Sequence, residues 1–475
     1  MSEELLLHAN SIVHEQPDEA LAICNTILNE HFEDDLAQKA LFMSGFIMME
    51  AERYGLAFNL YQRCAQLNPK ISEIYSNMGI CMEEHSPARA SKLFRKAYKL
   101  NNKNADALAN EGLMCLQMAQ PERCIELSRR ALEIKPELRS AKHNMGLAQL
   151  MLKQWREGWE NYADTLGVKH REGRDYGVPD WNGEKGLVVV YGEQGVGDEI
   201  MFASCLEDLS KTNDIVLDCD KRLVDLFSRS FDFPAYGTRF RDETPLLDNH
   251  KPQYQIAIGQ LPHFFRNTDE SFPGTPYLTP DPERSLMWRS LFDTFKGRKI
   301  GVAWRGGLKR TGEHRRSLAL DDLAPIFNDT DTFISLEYKP VAQEDLDRYG
   351  IKSYSETAAG GNIDDLAALV SELDLVICPC TSVMYVAGAL GVQCNVLVPG
   401  EPGYRYHKEG GFPWYESVNL IRQAGTWGDT IDKNIHRLRP SRDRGVSRTL
   451  SFNSDPIKRA SQFHANQQTE HTRIQ

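Results

Sequence analysis

With 475 residues the chain is long enough for several domains, roughly two to four at ~150 residues each. A formal charge of −12 leaves no basic excess to offset phosphate repulsion, which argues against a nucleic-acid binder. Hydrophobic residues make up an ordinary 41%, no run of about 18 apolar residues is present, and the acidic Met1-Ser2-Glu3-Glu4 is the opposite of a basic signal peptide; the expectation is a cytoplasmic protein with no transmembrane segment.

Residues 1–167 carry an internal repeat. Glycines fall at Gly45, Gly79, Gly112 and Gly146, spaced 34, 33 and 34 residues apart. Similar offsets then bring Ala57 and Tyr61, Ala90, Phe94 and Ala97, or Cys124, Ser128 and Ala131, with Pro69 and Pro136 closing units. Small residues at fixed positions let the two helices of a hairpin approach closely, and a proline ends one unit before the next. The pattern resembles the tetratricopeptide repeat, with roughly five units. In such a solenoid the first helix of each unit lines a concave face, and Asn77, Asn110 and Asn144 each stand two residues before a glycine on that helix. They are placed either to hydrogen-bond an extended peptide or simply to meet solvent. Such a concave face is able to bind a protein or peptide partner, to dimerise, or simply to brace a neighbouring domain, and the repeat alone does not choose among them.

Residues 168–186 are polar, contain Pro179 and Gly183, and read as a linker. Beyond them apolar runs at 187–191, 214–218, 254–258, 299–303, 332–336, 374–378 and 394–398 alternate with helical stretches such as 199–211, 220–230, 282–295 and 382–390. That alternation predicts parallel sheets. A break from Pro273 to Pro282 divides them into halves at 187–272 and 298–436, with 273–297 as hinge or connection. Residues 437–475 begin with arginines, turn polar, show no periodic apolar face, and read as a disordered tail.

Two segments have the strand, tight loop and helix start that bind anions in parallel sheets, because loop amides and the positive helix N-terminus converge there. The first runs from Leu187 through Glu193, Gln194, Gly195, Val196, Gly197 and Asp198; the second runs from Asp374 through Cys380, Thr381 and Ser382 to Gly391. The ten cysteines are scattered and read as small buried thiols. Cys378-Pro379-Cys380 lacks the spacing and neighbours of a zinc set, and Asp218-Cys219-Asp220 reads as a structural cap, so no metal site is expected.

Taken together, the Glu193–Asp198 loop, Gly301-Val302-Ala303-Trp304-Arg305-Gly306, Arg316-Ser317-Leu318, Thr381-Ser382 with Ala387–Gly391, and Pro413-Trp414-Tyr415 with Arg422-Gln423 resemble bacterial tetratricopeptide-repeat glycosyltransferases. The resemblance implies a heptosyltransferase-like GT-B fold behind the solenoid, an α region followed by two Rossmann-like α/β halves. It further implies an inverting, metal-independent transferase using a nucleotide-sugar donor and no other cofactor, with the acceptor on the 187–272 half and the donor on the 298–436 half. Asp198 matches the aspartate that the family pattern uses as general base, with Glu193 and His314 in reserve. Glu193, Gln194, Gly195 and Gly197 form the acceptor-side loop. Arg305, Arg316, Ser317, Thr381, Ser382 and Tyr385 are the donor-side candidates, since a metal-free leaving diphosphate needs helix-start amides, hydroxyls and arginines. Tyr406 and Trp414, in an aromatic, glycine-rich loop after the 394–398 run, are candidates for stacking on a sugar or base, or for anchoring the loop.

The chain departs from the family pattern twice. Cys380-Thr381 replaces a common Asp-Thr pair, and Tyr385 stands where a histidine is common. Tyrosine carries no positive charge near neutral pH, so phosphate stabilisation there is weaker. The rival reading is accordingly a non-catalytic repeat scaffold with a degenerate transferase region.

Overall fold

The structure is a computed structural model that describes residues 2–168, 171–239, 244–307, 313–354 and 362–439. The tail expected over 437–475 lies outside the described residues from 440 onward.

Ten helices form five hairpins: α1 (Ser2–Ile12) with α2 (Pro17–Glu30), α3 (Asp35–Glu50) with α4 (Tyr54–Leu67), α5 (Ser72–Ile80) with α6 (Pro87–Leu100), α7 (Ala105–Gln117) with α8 (Pro121–Ile134), and α9 (Arg139–Met151) with α10 (Trp155–Ala163). Proline opens α2, α6 and α8, where its missing N–H costs nothing, and Asp34 and Asn104 accept the N–H groups of Ala37 and Ala107 to cap α3 and α7. The repeat glycines permit the close approach that their spacing predicts. A Cβ on Gly45 would lie 2.9 Å from the Tyr61 ring, and one on Gly79 would lie 2.5 Å from the Phe94 ring. This is a tetratricopeptide-like solenoid.

Among the described residues, the rest of the chain builds two all-parallel sheets. The first contains β1 (Leu187–Tyr191), β2 (Asp214–Asp218), β3 (Ala235–Tyr236) and β4 (Tyr254–Ala257), in the order β3-β2-β1-β4. The second contains β5 (Lys299–Val302), β6 (Thr332–Ser335), β7 (Ile351–Lys352), β8 (Leu375–Pro379), β9 (Cys394–Val398) and β10 (Val418–Arg422), in the order β10-β9-β8-β5-β6-β7. In each sheet the order reverses beside the first strand, between β1 and β4 and between β5 and β8. The crevice at such a reversal is where open parallel sheets bind ligands. The two-residue strands β3 and β7 and the edge strand β10 are absent from the predicted apolar runs.

Two connections differ from their sequence reading. The segment 168–186 is packed structure: Gln255 of β4 exchanges backbone hydrogen bonds with Pro179 and Trp181, and the Tyr176 and Trp181 rings are buried. The segment 273–297 belongs to the second sheet's side, because Tyr277 and Leu278 both donate to the Ala389 carbonyl and Arg289 of the helix Pro282–Phe292 forms a paired bond with Glu372.

One apolar core joins all three parts. Trp155, Trp159 and Tyr162 of α10 share it with Phe202 from the first sheet's side and with Tyr385 and Trp414 from the second's.

Candidate functional site

The loop after β1 leads into α11 (Val196–Ala203), and the loop after β8 leads into α12 (Ser382–Ala389). The two helix starts touch. A Cβ on Gly197 would stand 2.8 Å from Tyr385 Cδ2 and 3.5 Å from Ser382 Cα. The two loops singled out in the sequence as candidate anion sites therefore meet across the boundary between the sheets.

Asp198 sits in the first turn of α11, about one-fifth exposed, and forms an ion pair with Arg405 from the loop after β9. Arg405 also lies 3.5 Å from Gln194 Oε1 and 4.5 Å over the Tyr404 ring. The other face of Gln194 belongs to the solenoid, since its Nε2 donates to the Tyr162 hydroxyl at 2.6 Å. Gly195 is the N-cap of α11 and its carbonyl accepts from Asp198 N.

Glu193 is sealed beneath this loop. It accepts from Gly259 N at 3.3 Å and Gln194 Nε2 at 3.0 Å, and Arg171 Nε stands 3.7 Å away. Burial pushes its carboxyl above the usual range. These partners give the reserve base Glu193 a structural setting. Glu199, one residue after Asp198, is also buried; it pairs with Arg239 and accepts from Asp220 N, and burial pushes its carboxyl up to about 8. Asp218 accepts from Arg174 and the Tyr176 hydroxyl, and Asp220 pairs with Arg222. The supposed linker thus supplies Arg171 and Arg174 to the carboxyl ends of the first sheet. Among the described residues no group of three or more His, Cys, Asp or Glu side chains is placed to hold a metal ion.

On the second sheet, the donor candidates gather at the β5/β8 reversal. Arg316 Nη1 donates to the Cys380 carbonyl at 3.1 Å, joining the loop after β5 to the start of α12. Thr381 is the buried N-cap of α12 with no side-chain cap bond, and Ser382 is its partly exposed first residue. Ser317 accepts from Gly306 N at 3.0 Å and donates to the Glu313 carbonyl at 2.7 Å, which shapes the loop. Arg305 is occupied differently from its expected role. Its Nε donates to buried Glu337 at 2.6 Å and its Nη2 to the Lys339 carbonyl at 2.7 Å, tying the loop after β5 to that after β6. His314 is exposed on the short helix Glu313–Arg316.

The aromatic candidates are buried. Tyr385 lies 3.3 Å hydroxyl to hydroxyl from Tyr406, and burial pushes it up to about 12. Trp414 packs on Trp159, Phe202 and Phe272 in the shared core, which is the anchoring alternative of the two that the sequence left open. Arg422 holds the loop's shape by donating to the carbonyls of Tyr406, His407 and Gly410. Sequence reasoning assigned no role to Arg405, Tyr162 or Arg171. The one available signal was Arg405 itself, a cation set between two tyrosines of the aromatic loop.

Between α5 and α7 of the solenoid lies a groove of about 400 Å³ lined by Glu73, Asn77, Ile80, Asn104, Asp106 and Asn110. Asn144 is not part of it. It is buried and donates to the Ala109 carbonyl at 3.0 Å, bonding one repeat to the previous one.

The fold and site define a tetratricopeptide-like solenoid joined to a two-sheet parallel α/β region. No family model matches the chain. It is 26% identical to Protein FlbA of Caulobacter vibrioides over 426 residues, covering 82% of this chain and 71% of FlbA. Among solved structures, MamA aligns over 32% of this chain and 86% of its own, with 21% identity and a TM-score of 0.29. YrrB, a TPR protein with an unusual peptide-binding site, aligns over 34% and 86%, with 15% identity and a TM-score of 0.30. None of the described helices is long and apolar enough to cross a membrane.

Proposed function

We propose that the chain is a cytoplasmic, GT-B-type glycosyltransferase that moves a sugar from a nucleotide-sugar to a hydroxyl on a protein, lipid or glycan, with inversion and without a metal. One observation carries the reading: Arg316, Thr381 and Ser382, chosen from sequence as donor contacts, converge at the strand-order reversal of a six-stranded parallel sheet. In the reaction the acceptor oxygen attacks the anomeric carbon while the bond from that carbon to the diphosphate oxygen breaks. The diphosphate leaves with the bonding pair, and the Asp198 carboxylate takes the acceptor's proton. Helix-start amides at Thr381 and Ser382, with Arg316, stabilise the departing charge. The groove around Asn77 and Asn110 suits a peptide partner, whose backbone amides those side chains can bond.

The test is release of nucleoside diphosphate from UDP-, GDP-, ADP- and dTDP-sugars by the wild-type chain and by Asp198→Ala. Turnover of one donor, lost in the variant, supports the reading; turnover unchanged by the substitution removes Asp198 from the role of base.

A second reading, a repeat scaffold with an inactive transferase region, draws on the ion pair that occupies Asp198 and on the tight Gly197–Tyr385 contact. A ligand that binds only the folded state raises its melting temperature. Absence of any shift across the four nucleoside diphosphates and their sugars favours the scaffold.

A further inference from the structure

Arg405 is the cation nearest the proposed base, yet it comes from neither of the two anion-binding loops. It reaches Asp198 from the loop after β9, and its position is bracketed on both sides by contacts to the start of α12. Gly197, next to Asp198, packs on Ser382 and Tyr385, while Tyr406, next to Arg405, meets the Tyr385 hydroxyl. The guanidinium therefore lies where α11 and α12 both begin. Each helix start carries about half a positive charge. Asp198 is the carboxylate ion-paired with this guanidinium, because Glu193 has Arg171 and Glu199 has Arg239. The balance of charge at this point is positive. Arg405 also has capacity left: its Nε is buried and makes no hydrogen bond. A planar guanidinium with unused donors is suited to two oxygens of a phosphate.

We propose that Arg405 is a diphosphate-binding residue that Asp198 occupies only in the empty protein. This rests on the transferase reading. The donor diphosphate, lying at the start of α12, draws the guanidinium from the carboxylate. Asp198 is then released from the guanidinium and free to meet the acceptor hydroxyl. The ion pair in this reading is a competitor for the ligand, and it holds Asp198 in place until the ligand binds.

The competition gives two substitutions opposite signs. Calorimetric titration of the full chain with UDP, GDP, ADP and dTDP, each alone, compares wild type with Asp198→Asn, Arg405→Ala and Arg405→Lys. Asp198→Asn is expected to bind the recognised diphosphate about tenfold tighter, because the competing charge is gone, while Arg405→Ala loses roughly tenfold or more and Arg405→Lys recovers part of it. A structural role for the ion pair predicts loss, never gain, in Asp198→Asn. Should Arg405→Ala fail to fold, the sign of the Asp198→Asn effect decides alone. Binding by wild type that Asp198→Asn leaves equal or weaker overturns this proposal and leaves the transferase reading intact. Silence from all four chains with all four nucleotides overturns both.

Discussion

Gly197 and Tyr385 are packed so closely that a Cβ on the glycine would lie 2.8 Å from the tyrosine ring. The pair is the point where the helix after β1 meets the helix after β8, so its fit sets the distance between the two sheets. Gly197→Ala is expected to cost ~1–3 kcal/mol by overpacking. Tyr385→Ala in the same chain should relieve part of that cost, since contacting residues are not additive. Thermal melts of the two single variants and the double variant measure the coupling; strict additivity would show that the contact is not a constraint.

His407 gives a pH dependence. Its ring is buried, its Nδ1 donates to the Leu150 carbonyl at 3.0 Å, and burial lowers its pKa to about 4. Between about 6.5 and about 4 the unfolded chain binds a proton that the folded chain does not, so stability is full above that window and falls as pH drops through it, by up to about 3 kcal/mol. Denaturant midpoints of wild type and His407→Gln, measured from pH 7 to 4, should diverge in slope. Parallel curves would mean that the ring protonates equally well in both states.

Trp159 of the solenoid stands 6.1 Å, ring centre to ring centre, from both Phe202 and Trp414. Trp159→Ala removes a filler shared by all three parts and is expected to cost ~3–5 kcal/mol. The effect should be regional. Amide exchange should rise in α11 and β9, while α3 and α4, which draw on a separate apolar cluster, keep their protection. Uniform protection across the chain would contradict the shared core.

The repeat asparagines divide into two kinds. Asn144→Ala leaves the Ala109 carbonyl without its buried partner and should cost ~1–3 kcal/mol, whereas Asn77→Ala and Asn110→Ala, which line an open groove, should stay within ~0.5 kcal/mol. Melting curves of the three variants check this. A large loss for Asn110→Ala would assign it to the solenoid's own bonding.

What was legible in the sequence was local. The glycine spacing marks the hairpins because close helix approach imposes a small residue at each crossing, and the β1 and β8 loops are visible because a strand, tight turn and helix start must follow in order. Partnerships across the fold left no such mark. Arg305 reads as a phosphate contact until Glu337 is placed beside it. Trp414 reads equally as a stacking face or an anchor until Trp159, 255 residues away in sequence, is placed against it. The segment 168–186 looks like a linker because its polar residues give no period, yet Arg171 and Arg174 are there to meet carboxylates buried at the ends of β1 and β2.

The loop that carries Arg405 is fastened at both ends of its reach. Arg422 grips it from the second sheet, while Leu150, Met151 and Glu122 of the solenoid receive His407, the Lys408 amide and the Lys408 ammonium. A displacement of this loop at Asp198 would therefore strain its bonds to α9 and to Glu122. If a ligand at Arg405 and an occupant of the solenoid were both to bear on this loop, linkage would make their effects on each other's affinity equal in size. The repeats and the α/β region are thus tied together by this loop as well as by the apolar core they share.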